Sequence, residues 1–164
     1  MKKKVYLETS LFNFYIDESG GDAHIFTLRL FEEIAKGKYE AFTSTYVIEE
    51  LEKAEEEKRN KMLEIIQRYD ITILSERDEV DRMAEIYVAN GVIPNKFRTD
   101  GLHIAIATVY GLDMIVSMNL RHIVKRKTIK MTTHINILNG YSAVKICSPA
   151  EVVEYGKKDP SDRT

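Results

Sequence analysis

Short runs of strand-forming residues alternate with longer segments of helical periodicity along this chain. The first run is Val5 to Leu7, and similar runs occupy residues 39–43, 71–74, 114–117 and 144–147. Between these runs, apolar residues recur every three or four positions, as they do at Ile25, Leu28 and Phe31. The alternation predicts an α/β fold in which a mostly parallel sheet of four to five strands lies between helical layers.

Helices are predicted at residues 23–36, 59–68 and 78–90, and a short one after Ser148-Pro149. Another helix is predicted to begin at Ser44 or Thr45 and to continue into the charged run LEKAEEEKRNK. The segment LHIAIATVYG, with Thr99 as its candidate cap, is apolar nearly all round and is therefore predicted to be a buried helix. The basic stretch after residue 117 is interpreted either as a phosphate-binding surface or as a solubilising loop.

The composition predicts one globular domain with a hydrophobic core, because 44% of the 164 residues are hydrophobic. We expect the domain at residues 1–156 and a flexible tail at residues 157–164. Cys147 is the only cysteine, which excludes an intramolecular disulfide and fits a reducing compartment. No apolar run approaches the roughly 18–20 residues of a membrane span, so we expect a soluble, cytoplasmic protein without membrane contact.

Three acidic residues are candidates for a catalytic centre at the carboxyl ends of the strands, where parallel α/β sheets form their sites. Glu8 directly follows the first strand, Glu50 lies on the helix after the second, and Asp100 begins the buried helix. Each also has a simpler interpretation: an exposed strand-end acid, a solvated helix face, or an acid stabilised by the helix dipole. The pattern does not decide between Glu49 and Glu50.

Clustered carboxylates without a cysteine pair suit Mg²⁺ or Mn²⁺ better than structural Zn²⁺. One or two such ions would activate water and stabilise the leaving oxygen of a phosphodiester. Binding a cation would also relieve the repulsion among the carboxylates. The acidic candidates therefore predict a metal-dependent hydrolase of phosphate esters.

The charge distribution indicates a phosphate-bearing partner, although the net charge is only −2. Residues 114–150 contain neither Asp nor Glu and include several lysines and arginines. The candidate RNA-binding residues in this span are Arg121, Lys125, Arg126 and Lys127. Asn119 and His122 could enter the same cleft, or could belong to an ordinary polar loop.

The pieces YLETS, VIEEL, RTDGLHIAIATVYGLDMIVSMNLRHI and SPAEVV together resemble the PIN-domain family, and within it the VapC-like toxin ribonucleases. The resemblance implies a three-layer α/β/α sandwich, a cleft that binds Mg²⁺ or Mn²⁺, and RNA as the substrate. It assigns metal binding and catalysis to Glu8, Glu50 and Asp100, with Glu50 preceding Leu51 in the family's E-L pair. It also implies an antitoxin partner, a homodimer and products with a 5′-phosphate.

Two positions depart from the family pattern. Glu8 stands where the family more often has Asp, and His122 stands where a further acid often lies. By the resemblance, Thr9, Asn119 and His122 support the site, while His122 in place of an acid weakens a second metal position. Two alternatives to the ribonuclease are a non-catalytic PIN-like RNA-binding module and a metal-dependent phosphatase for small substrates.

Overall fold

The computed structural model describes residues 1–157, without the side chains of residues 154–157. Its five strands are β1 (Lys3–Leu7), β2 (Tyr39–Ser44), β3 (Thr72–Leu74), β4 (Met114–Val116) and β5 (Lys145–Cys147). They form one sheet in the order β3-β2-β1-β4-β5, and every neighbouring pair is parallel. The predicted α/β fold with a parallel sheet is therefore confirmed.

Eight helices connect and cover these strands within the described residues. They are α1 (Thr9–Ile16), α2 (Asp22–Ala35), α3 (Thr45–Glu52), α4 (Glu56–Arg68), α5 (Asp78–Ala89), α6 (Arg98–Val109), α7 (Arg126–Leu138) and α8 (Pro149–Lys157). Short 3₁₀ turns at residues 18–20 and 95–97 precede α2 and α6.

Two separate apolar cores show that the fold has three layers, because successive strand residues point to opposite faces of the sheet. Tyr6 of β1 and Ile115 of β4 join the core under α5 and α6. Val5 and Leu7 join the other core, which contains the apolar faces of α1, α2, α4 and α8. The sheet is thus buried on both sides, as expected for parallel strands.

The sequence predicted that α3 would continue as one helix into the charged run LEKAEEEKRNK, but the structure has a break there. Helix α3 ends at Glu52, and α4 begins at Glu56. Leu51 is the last buried residue of α3 and Met62 the first buried residue of α4. Since no apolar side chain between them is buried against the sheet, packing does not hold the intervening residues in one straight helix.

Helices α1 and α7 were not predicted. Helix α7 occupies part of the basic stretch that was interpreted either as a phosphate-binding surface or as a solubilising loop. The buried face of α7 is mostly polar, with Thr128, Thr132 and Asn136 spaced four residues apart. An apolar periodicity does not detect such a face. Helix α1 has only eight residues, which gives the pattern little length to appear in.

Asn136 is part of a buried polar network that ties α7 to α5 and α6. The Tyr87 hydroxyl donates a 2.5 Å hydrogen bond to Asn136 Oδ1, and Asn136 Nδ2 donates a 3.0 Å bond to Thr108 Oγ1. All three residues are buried. The network therefore satisfies side chains that would otherwise be costly inside the core.

We expect Asn136→Ala to lower the free energy of unfolding by about 1–3 kcal/mol, because it leaves a buried hydroxyl without its acceptor. Urea denaturation measures this loss. Asn139→Ala is the matched control, since the exposed Asn139 bonds only the Ile135 carbonyl of its own helix. Equal destabilisation by the two variants would contradict a structural role for the network.

The predicted domain boundary at residue 156 falls at the end of the described region. The predicted tail begins with residue 157, which ends α8, and its remainder, 158–164, lies outside the described residues. Within the described part of the chain, no helix combines the length and apolar character required to cross a membrane.

Candidate active site

The candidate site lies where the strand order of the sheet reverses. From β1 the chain builds outward through β2 and β3, and it then returns to the other side of β1 with β4 and β5. Sites in parallel α/β sheets form at the carboxyl ends of strands at such a switch point. Glu8 directly follows β1 and Ser117 directly follows β4, so both residues lie at this point.

Two serine hydroxyls hold the Glu8 carboxylate in place. Ser10 Oγ and Ser117 Oγ each donate a 2.5 Å hydrogen bond to Glu8 Oε1. The Ser10 oxygen in turn accepts from the Met118 N–H at 2.8 Å, and the Ser117 oxygen accepts from the Asn119 N–H at 2.9 Å. The loop after β4 therefore fixes the direction in which this buried carboxylate points.

Glu50 belongs to a chain of hydrogen bonds that passes through His103. Glu50 Oε1 lies 2.8 Å from His103 Nε2, and His103 Nδ1 lies 2.6 Å from the Tyr6 hydroxyl. That hydroxyl lies 2.7 Å from Ser44 Oγ. Because Glu49 is exposed, the side chain of Glu50 is the one that faces the site.

His103 is bonded to Glu50 and is subject to the charges of all three acids. Burial alone would lower the pKa of His103, but the hydrogen bond to Glu50 and the charges of Glu8, Glu50 and Asp100 raise it above its ordinary value. Burial would raise the pKa of Glu50, but the His103 hydrogen bond and charge, with a smaller contribution from Thr9, lower it. Both shifts favour a charged pair, an imidazolium beside a carboxylate.

Asp100 lies in the first turn of α6, next to Glu8. Burial raises the pKa of Asp100, and the charge of Glu8 raises it further, while His103, Asn119 and His122 act in the opposite direction. The two acids therefore repel each other across the cleft. A bound cation would relieve this repulsion.

The three supporting residues named from the sequence border the same cleft. Thr9 is buried, and its hydroxyl lies close enough to Glu50 to lower the pKa of that carboxyl. No group among the described residues has the geometry of a hydrogen-bond partner for this hydroxyl. Asn119 Oδ1 accepts a 3.0 Å hydrogen bond from the His122 N–H, which shapes the loop after β4. His122 is close enough to Asp100 to lower its pKa.

The basic residues proposed for RNA binding lie on this loop and at the start of α7. The Thr128 hydroxyl donates a 2.9 Å hydrogen bond to the His122 carbonyl, which anchors the first turn of α7 to the site loop. Four cations are exposed along the loop and at the start of α7: Arg121, Lys125, Arg126 and Lys127. The acidic cleft thus has a positively charged border.

The hydrogen bonds from Ser10 and Ser117 to Glu8 were not predicted from the sequence, and neither was the contact between Tyr6 and His103. Ser117 had a usable signal, since it directly follows an uncharged strand, as Glu8 follows the first. His103 lies one helical turn after Asp100 and was interpreted mainly as a core histidine. Its two hydrogen-bond partners are 53 and 97 residues away, a relation that a local pattern does not contain.

The donor chemistry of the site fits a hard divalent cation, but the side chains do not enclose one as they stand. Among the described residues, no group of three or more His, Cys, Asp and Glu side chains is arranged to hold a metal ion. Glu8 Oε1 is bonded by two serines and Glu50 Oε1 by His103. Metal binding would therefore require these carboxylates to turn or to use their other oxygen.

No protein-family model matches the sequence, and a search of curated proteins finds no match. Among solved structures, the fold is similar to a chain of the "Crystal structure of VapBC2 from Rickettsia felis bound to a DNA fragment from their promoter". The TM-score is 0.57 at 16% identity, over 88% of this chain and 98% of that one.

A chain of the "Crystal structure of DNA bound VapBC from Salmonella typhimurium" is also similar, with a TM-score of 0.54 and 15% identity over 91% and 99% of the two chains. At these identities the likeness concerns the fold. The predicted three-layer sandwich is confirmed, and the resemblance stated from the sequence agrees with these neighbours in fold.

Proposed function

We propose that this protein is a metal-dependent endoribonuclease and the toxin of a toxin–antitoxin pair. The observation that carries the proposal is the convergence of Glu8, Glu50 and Asp100 around His103 at the switch point of the sheet. Acidic groups that are brought together in a partly buried position, with pKa values shifted by burial and by neighbouring charges, are typical of functional sites. The fold shared with VapBC chains supports the same proposal.

The chain's own groups divide into metal ligands and positioning residues. Glu8, Glu50 and Asp100 would hold Mg²⁺ or Mn²⁺, which supplies an activated water and stabilises the leaving oxygen of a phosphodiester. Ser10 and Ser117 orient Glu8. His103 orients Glu50, and the buried Thr9 hydroxyl lies beside Glu50 and lowers its pKa.

RNA is the proposed substrate because the acidic cleft has a cationic border. Arg121 and Lys125 to Lys127 are exposed next to the site loop, where they would contact backbone phosphates. Such contacts would attract the polyanion while the cleft itself engages one scissile phosphate. The arrangement suits a chain with phosphates on both sides of the cut.

A substrate panel tests the reaction class. With Mn²⁺ present, we expect cleavage of single-stranded RNA within the chain, and little or no hydrolysis of nitrophenyl phosphate, which lacks neighbouring phosphates for the basic border. Rapid hydrolysis of nitrophenyl phosphate with intact RNA would instead support a phosphatase of small substrates.

A non-catalytic RNA-binding module is a second candidate, favoured by one observation. The hydrogen bonds from Ser10, Ser117 and His103 occupy oxygens of Glu8 and Glu50, and they would hold the acids apart without a metal. Calorimetric titration with Mn²⁺ separates the candidates. Saturable binding that Asp100→Asn weakens supports the nuclease, whereas RNA binding without Mn²⁺ binding supports the module.

The toxin assignment predicts an effect in cells. Induced expression in a bacterial cytoplasm is expected to stop growth, and co-expression of a small protein from a neighbouring reading frame is expected to restore it. The antitoxin would block the cleft, for which a basic side chain placed among the acids is suited. Normal growth at high expression of the active nuclease would contradict the toxin assignment and would leave an RNA-processing role.

A further inference from the structure

Phe97 and His122 form a stacked pair beside the acidic cleft. Their ring centroids are 4.2 Å apart and their planes are inclined by 28°. Phe97 is 38% exposed, and it is the only aromatic residue among the exposed large hydrophobic residues of the described chain. The Phe97 ring is therefore partly exposed to solvent, and the stack on His122 defines its orientation.

The pair is adjacent to the acids that would act on the scissile phosphate. Phe97 immediately precedes α6, one turn before Asp100. His122 lies close enough to Asp100 for its charge to lower the pKa of that acid. The platform and the acidic cleft therefore share the start of α6 and the loop after β4.

Hydrogen bonds fix His122 behind Phe97. The His122 N–H donates to Asn119 Oδ1 at 3.0 Å, and the His122 carbonyl accepts from Thr128 Oγ1 at 2.9 Å. His122 Nε2 is buried without a hydrogen-bond partner. The loop thus fixes the His122 backbone so that the imidazole lies against Phe97.

Cations stand next to the platform. The Lys96 ammonium lies over the Phe97 ring, 5.7 Å from its centroid, so a base that stacks on Phe97 takes the place of this exposed cation. Arg121 directly precedes His122 and is exposed. A nucleotide whose base lay on Phe97 would have these charges available for its phosphate.

We infer that Phe97, backed by His122, is a stacking subsite for one unpaired nucleobase next to the scissile phosphate. The inference rests on the proposed function and names how the substrate is held. Stacking on an aromatic side chain is a common way to bind single-stranded RNA and accepts any base, because each has a π-face. The subsite favours a single-stranded substrate, since a paired base would first have to lose its stacking and pairing to reach the ring.

The subsite is tested by binding, in a background that does not cut. The probe is a single-stranded RNA with the fluorescent base 2-aminopurine at successive positions, titrated with the Asp100→Asn protein in the presence of EDTA. Fluorescence should be quenched strongly at one position. Phe97→Leu should remove this quenching and weaken binding by about 5- to 150-fold, corresponding to about 1–3 kcal/mol per stacked base. Phe97→Tyr should restore both.

Phe26→Leu is the matched control. Arg29 lies 5.7 Å from the centroid of the Phe26 ring, the same separation as in the Lys96–Phe97 pair. Phe26 itself belongs to α2 and packs against the core on the opposite side of the sheet. Phe26→Leu should leave quenching and affinity unchanged.

A second version of the experiment leaves Phe97 and His122 unchanged and compares a set of RNAs, each of which lacks the base at one position. Weaker binding at a single position supports the subsite. Equal binding of all abasic RNAs, or unchanged affinity in folded Phe97→Leu, overturns the stacking inference while RNA cleavage still supports the nuclease. If the Asp100→Asn protein binds no RNA at all, the proposed function fails together with the subsite.

Discussion

Asp100→Asn is expected to reduce metal-dependent RNA cleavage by about a thousandfold while the protein stays folded. Charge stabilisation by a bound divalent ion contributes several kcal/mol to the transition state, and each 1.36 kcal/mol corresponds to about tenfold in rate. Asparagine keeps the shape of the side chain but loses its charge. The effect on cleavage therefore reports the charge of Asp100 rather than its packing.

Asp113→Asn is the control for this prediction. Asp113 precedes β4 at the opposite end of the sheet, where its side chain accepts a 2.7 Å hydrogen bond from the Lys4 N–H. The Asp113→Asn protein should cleave RNA at the rate of the unaltered protein. If Asp100→Asn retained full cleavage in the same assay, Asp100 would lie outside the reacting centre.

His103→Leu is expected to have the second largest effect, because it acts on stability and on cleavage together. It removes the partner of Glu50 and one partner of the Tyr6 hydroxyl. We expect a loss of about 1–3 kcal/mol in the free energy of unfolding from the broken buried hydrogen bonds. Cleavage per folded molecule should also fall, since Glu50 loses the group that orients it.

A double-mutant cycle isolates the contact between His103 and Glu50. Urea denaturation of His103→Leu, Glu50→Ala and the combined variant measures how strongly the two side chains stabilise each other. We expect His103→Leu to cost less in the Glu50→Ala background than alone. Strict additivity of the two losses would mean that the 2.8 Å contact contributes nothing to the folded state.

The layout of the fold was predictable because its elements have the periodicities that burial imposes. The uncharged strand β4 and the apolar helix α6 are covered by protein, and their composition shows it. Helix α7 was not predictable in the same way, since Thr128, Thr132 and Asn136 fill its buried face with polar groups. Thr128 bonds the site loop, and Asn136 bonds Tyr87 and Thr108 on other helices, partners that a local pattern does not reveal.

The sequence named Glu8, Glu50 and Asp100 as candidates for the site, but not the side chains that hold Glu8 and Glu50 in place. Strand ends placed Glu8 near the cleft, and the E-L pair favoured Glu50 over Glu49. The serine bonds to Glu8 depend on how distant segments meet, since Ser117 is 109 residues from Glu8. Phe97 was missed because a single aromatic residue in front of a helix forms no periodic pattern of its own.

The most direct test of the metal-dependent nuclease is cleavage of end-labelled RNA by the unaltered protein with Mn²⁺, with Mg²⁺ and with EDTA. Our account predicts internal cleavage with Mn²⁺ or Mg²⁺, products that carry a 5′-phosphate, and no cleavage in EDTA. Cleavage that persists in EDTA and leaves 2′,3′-cyclic phosphates would contradict the account, because the RNA's own 2′-hydroxyl would then be the nucleophile in place of water.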